Sequence, residues 1–99
     1  MQFLVIAQIA KGISSDKVLP YIKPEAGKVW EYYQTGILRS IYYIADMSGT
    51  VMILEADSLD TVRLAVARFP MAEQDLLDFK ILPLKPYTGL EALFAESKK

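Results

Sequence analysis

Two stretches of this chain, QFLVIAQIA at residues 2–10 and VMILEA at 51–56, have the length and side chains of β-strands, yet neither alternates apolar with polar. Successive strand residues point to opposite faces, so Val51 and Ile53 share one face while Met52, Leu54 and Ala56 share the other. Residues 2–10 are apolar on both sides as well. A sheet with one face in water would alternate. Any fold for this chain must therefore cover both faces of its sheet.

The rest of the chain supplies helices for only one of them. Gly12 and the Ser14-Ser15-Asp16 cluster form a turn, and a short helical turn follows near residues 16–22. Pro20 and Pro24 prevent one uninterrupted helix, because interior proline removes a hydrogen bond and clashes with the preceding turn. The main helix is expected over residues 24–34, with Pro24 at its first position and Gly36 ending it. Leu19, Ile22, Ala26, Val29, Trp30 and Tyr33 recur at helical spacing and mark its expected buried side. A strand over 37–45, a turn at DMSGT and the strand VMILEA follow. Asp57 or Ser58 caps a second helix over 58–69, with Leu59, Val62, Ala65, Val66 and Phe69 inward and Pro70 ending it. MAEQDLL gives a looser helical turn, residues 78–85 a fourth strand, and YTGLEALFAESKK a short amphipathic helix before a solvated, charged end. The order βαββαβ makes a single α+β domain over residues 1–99, a ferredoxin-like four-stranded antiparallel sheet with helices on one face. The uncovered face calls for a second sheet, most simply that of an identical subunit, and hence a homodimer or higher homo-oligomer. A hydrophobic fraction of 53% in 99 residues points the same way, since a chain this short hides only a modest core.

Composition narrows the function classes. Eleven basic and twelve acidic residues are interspersed, which leaves no electrostatic footprint for nucleic acid and no basic amphipathic helix for a membrane surface. The apolar runs fall far short of the ~20 residues that span a bilayer, and the N-terminus reads as a strand, not a signal peptide. A cytoplasmic setting is the expectation. Cysteine and histidine are both absent. That removes thiolate chemistry, the usual general base and the commonest zinc and haem ligand, so no cofactor and no metal is expected.

From residue 24 onward the chain resembles the dimeric α+β barrel superfamily, and within it the muconolactone isomerase-like proteins. The resemblance is carried by YYQTG at a helix end, the strand ILRSIYYIAD, TVMILEADSLDTVRLAVARFP with its EADS strand-to-helix junction, and FKILPLKPYTGLEALF. It implies a dimeric α+β barrel and a small-molecule ligand. Members differ in chemistry, and include isomerases, polyketide cyclases, cofactor-poor monooxygenases and haem proteins.

The polar residues of GILRSIYYIAD, residues 36–46, are the first candidates for a site. Arg39 either reaches solvent at an edge, pairing Glu55 or Asp46, or holds a substrate carboxylate with its planar fork. Strict alternation puts Arg39 with Tyr43 on one face and Tyr42 with Asp46 on the other. Asp46 either caps the turn or, partly desolvated beside Tyr42, serves as a general base, with Glu55 as the competing carboxylate. Trp30 and Tyr33 either pack in the core or line a cleft between helix and sheet, and Gln8 is a polar interruption suited to a pocket. These residues fit a cofactor-free isomerase or cyclase moving a proton next to a carbonyl of a lactone or aromatic, polyketide-like substrate. Asp46 or Glu55 would be the base, Tyr42 the hydroxyl donor, Arg39 the anchor, and Trp30, Tyr33, Tyr43 and Gln8 the binding surface. The alternatives are a non-catalytic ligand-binding or assembly protein, and a cofactor-free monooxygenase using Trp30 and the tyrosines as a platform.

Overall fold

The sheet is built outward from β1 (Gln2–Ile9), which is central and pairs on both sides. The computed structural model describes residues 1–95, so the charged end expected at 96–99 lies outside the described residues. β2 (Leu38–Tyr43), β3 (Gly49–Glu55) and β4 (Leu77–Pro83) complete an antiparallel sheet in the order β2-β3-β1-β4. Two longer helices, α2 (Ile22–Thr35) and α3 (Leu59–Ala67), cover one face. Short helices α1 (Ser15–Val18) and α4 (Pro70–Glu73) and a 3-10 turn (Leu19–Tyr21) fill the connections. This is the ferredoxin-like α+β arrangement. Among the described residues no helix is long and apolar enough to cross a membrane.

The core lies between the helices and one face of the sheet. Phe3, Val5 and Ala7 of β1 pair with Leu54, Met52 and Thr50 of β3, and Leu38 of β2 joins them. Val62, Ala65 and Val66 of α3 and Phe69 close it from above. The opposite face carries Leu4, Ile6, Val51 and Ile53, each only partly buried, because nothing among the described residues covers them.

Helix α2 departs from its sequence reading. It begins at Ile22, continuous with the 3-10 turn, and Pro24 falls in the first turn, where its missing N–H needs no partner. The side facing the sheet is Glu25, Val29 and Tyr32, not the stripe through Trp30 and Tyr33. Tyr32 is the anchor. Its hydroxyl donates to the Ala65 carbonyl at 2.6 Å, and its ring meets Phe69 edge-on at 5.4 Å. Trp30 is therefore not a core residue: it is 63% exposed, and Ile22 and Tyr33 are exposed as well. Gly36 ends the helix in the left-handed conformation, as expected (φ 85°).

Smaller differences follow local chemistry. Ser58 is the cap of α3, accepting from Thr61 N–H at 3.2 Å. That helix stops at Ala67, before Pro70, which opens α4. The last helical segment is a 3-10 turn (Thr88–Leu93) in an arm whose residues 85–95 are all exposed.

A candidate active-site cleft under helix α2

A cleft of about 600 Å³ opens between the helix-facing side of the sheet and the start of α2. Its floor is Ala7, Ile41, Thr50, Met52 and Phe79, and its roof includes Val18, Ala26 and Val29. At the mouth stand Leu19, Ile22, Tyr42, Tyr43 and Met47. The lining is mostly apolar, as a site for a small hydrophobic molecule should be, with a few polar groups set into it.

Of those polar groups, Glu25 is the chemical centre. It occupies the first turn of α2, on the face turned toward the sheet, and is the single charged side chain in the lining. One carboxylate oxygen accepts the Met71 N–H at 2.9 Å, which fixes the side chain against α4. Among the described residues its other oxygen has no hydrogen bond. Burial pushes the carboxyl above its ordinary pKa, and the Met71 hydrogen bond offsets part of that shift. Hydroxyl groups on Ser15, Tyr43 and Thr50 line the same cleft. Neither lysine nor arginine does.

The expected site residues divide. Tyr42 and Tyr43 reach the cleft; Arg39, Asp46, Glu55, Gln8, Trp30 and Tyr33 do not line it. Arg39 also parts from Tyr43, against strict alternation. A β-bulge leaves Arg39 as an extra residue between Leu38, which pairs with Leu54, and Ser40, which pairs with Ile53, and so shifts the alternation by one. Tyr43 then pairs with Thr50 on the helix side, while Tyr42 pairs with Val51 on the open side and reaches the cleft only at its rim. Arg39 lies near Glu55 instead. Glu55 is held below its ordinary pKa first by a hydrogen bond from the N-terminal ammonium of Met1, with Arg39 adding to this. Asp46 accepts the Ser48 N–H at 2.9 Å in the β2–β3 turn, and hydrogen bonds from Ser48 hold its carboxyl low. Two exposed, stabilised carboxylates are weaker bases than the half-buried Glu25. Gln8, paired with Gly49 and Asp78, is exposed on the open side.

Sequence reasoning passed over Glu25, although a signal existed. Positions 25, 29 and 32 form their own i, i+4, i+7 stripe, and a carboxylate in such a stripe is a group that folding will desolvate.

Sheet order, helices on one face and a bare apolar face opposite define an α+β domain of the dimeric α+β barrel superfamily. Within it the chain belongs to the muconolactone delta-isomerase family, whose model matches residues 1–89. No curated protein sequence matches the chain. Among solved structures it is similar to 5-chloro-2-hydroxyhydroquinone dehydrochlorinase (TftG) from Burkholderia phenoliruptrix AC1100, in complex with 2,5-dihydroxybenzoquinone. The TM-score is 0.73 at 19% identity, over 86% of this chain and 94% of that one. It is also similar to muconolactone isomerase, with a TM-score of 0.68 at 15% identity over 89% and 94% of the two chains. At these identities the likeness is one of fold.

Proposed function

We propose that the protein is a cofactor-free isomerase or cyclase that moves a proton next to a carbonyl of an uncharged lactone or related ring compound. Glu25 is the general base, and the hydroxyls of Tyr43, Thr50 and Ser15 are the donors available to the oxygen that gains negative charge as the proton leaves. The observation that carries this reading is the half-buried Glu25 in an otherwise apolar cleft. A carboxyl raised above its ordinary pKa is the better proton acceptor, and desolvation strengthens every polar contact around it. Membership of an isomerase family and a fold shared with an enzyme acting on a hydroxylated ring support the reading. An uncharged substrate suits a lining without a cation. Trp30, the platform that a monooxygenase reading needs, lies outside the cleft.

The test is deuterium exchange from D₂O into the C–H beside the carbonyl of a panel of uncharged lactones, followed by NMR with purified protein. Exchange is expected with at least one of them, and Glu25→Gln should slow it by ~10²–10⁴-fold. Binding of these compounds without exchange would establish a ligand-binding protein instead.

A further inference from the structure

The floor of the cleft has a regular geometry. Tyr43, Thr50, Ala7 and Phe79 pair in register and form one row across all four strands, from the β2 edge to the β4 edge. All four line the cleft. Three gaps between neighbouring strands make that row about 14 Å long. Along the strands the floor runs from Met52, which pairs with Val5, to Ile9. Four residues of β1 separate those two levels, a further distance of about 13 Å. Ala7 and Thr50 stand at the centre of this floor, and Ala26 is set in the roof. Such short side chains leave a broad, flat space between sheet and helix.

The volume agrees with that shape. A single benzene ring is held by a cavity of about 150 Å³, and this cleft encloses about 600 Å³. One ring would leave most of the apolar lining in water and use little of the burial on offer. The lining also favours aromatic over aliphatic occupants. Three of the chain's four methionines, Met47, Met52 and Met71, reach the cleft together with Phe69 and Phe79. Thioether sulfurs and ring edges pack favourably against aromatic rings.

Charge is the third constraint. Glu25 accepts the Met71 N–H, and Met71 packs with Leu76 and with Leu77 at the start of β4. The carboxylate therefore stands on the β4 side of the cleft, and no lysine or arginine lines the space around it. A second carboxylate brought in with a ligand would be desolvated and unpaired, and the first would repel it.

We propose that the cleft takes an uncharged, planar aromatic molecule of two or three fused rings, and that Glu25 also turns away carboxylated ligands of the same size. Because this rests on the proposed substrate site in the same cleft, binding is measured apart from turnover.

The probes are three uncharged lactones with one, two and three rings, namely 2-pyrone, coumarin and benzo[c]chromen-6-one, and the anion coumarin-3-carboxylate. Equilibrium dialysis against the purified full chain at pH 8 gives their affinities. Coumarin is expected to bind at least tenfold tighter than 2-pyrone, and the three-ring lactone at least as tightly as coumarin, each at one molecule per chain. Coumarin-3-carboxylate should bind at least tenfold more weakly than coumarin, and Glu25→Gln should bring the two within threefold. Ala26→Phe, at an exposed position of α2, should fill the roof and weaken the three-ring lactone at least tenfold. Equal affinity for 2-pyrone and coumarin would overturn the proposal, as would no binding by any of the three lactones. So would a carboxylate penalty that is missing or that Glu25→Gln leaves in place, or an Ala26→Phe chain that binds as the parent does. If the affinities follow the expected order and no lactone exchanges deuterium, the ligand class stands and the proposed reaction alone fails.

Discussion

Glu25 joins stability to chemistry through one proton. Burial favours its neutral form, so the folded chain holds a proton over a pH range in which the unfolded chain has released it. Stability from this group is fully present below the unfolded carboxylate value and is lost as pH rises through the higher folded value. Glu25→Gln keeps an oxygen for the Met71 N–H and removes the titration. Urea unfolding between about pH 4 and pH 7 should therefore change less steeply in Glu25→Gln than in the parent protein. The same carboxyl sets the acid limb of the rate profile, which should lie above the ordinary glutamate range and vanish in the variant. Asp46 and Glu55, both held low, cannot produce a limb there. At this scale the sequence reading named Asp46 and Glu55 as the candidate carboxylates and missed Glu25. Burial ranks them, and burial depends on which stripe of α2 turns inward.

At the scale of elements, the β2–β3 hairpin positions the cleft's rim. Met47 takes a positive φ of 63° in its turn, Asp46 braces the turn through Ser48, and Gly49 follows. Gly49 is required for space: a Cβ there would stand 2.0 Å from the Ala7 carbonyl oxygen and 2.8 Å from the Gln8 Cα, both backbone atoms that cannot swing aside. Gly49→Ala should cost at least ~1–3 kcal/mol, read from the midpoint of denaturant unfolding, and should loosen the rim at Tyr43 and Met47. Turn, strands, Gly36 stop and serine cap were all readable, since each rests on local backbone chemistry. The bulge at Arg39–Ser40 was not. A bulge answers to the twist and curvature of neighbouring strands, so assigning Arg39 and Tyr43 to one face followed correctly from strict alternation and still failed.

The whole molecule presents a domain finished on one side only. Leu4, Ile6, Val51 and Ile53 form an apolar patch on the open face of β1 and β3, opposite the helices. We propose that the same face of a second copy covers it, in a two-fold dimer. Val51→Lys and Met52→Lys separate the two faces of one strand. Met52 is 2% exposed in the core, so its lysine should unfold the chain. Val51→Lys should leave a folded monomer where sedimentation equilibrium finds the parent as a dimer or larger. A dimer that tolerates Val51→Lys would place the association elsewhere.

Two apolar faces on strands flanked by only two helices were enough to derive the ferredoxin-like order, because strand periodicity and helix spacing are local properties carried by every few residues. Choosing Glu25 over Asp46 and Glu55, Tyr32 over Trp30 as the anchor, and separate faces for Arg39 and Tyr43 required the packed molecule. Each depends on a rotation of α2 or a one-residue slip in β2 that costs little locally and is set by the fit of side chains between helix and sheet.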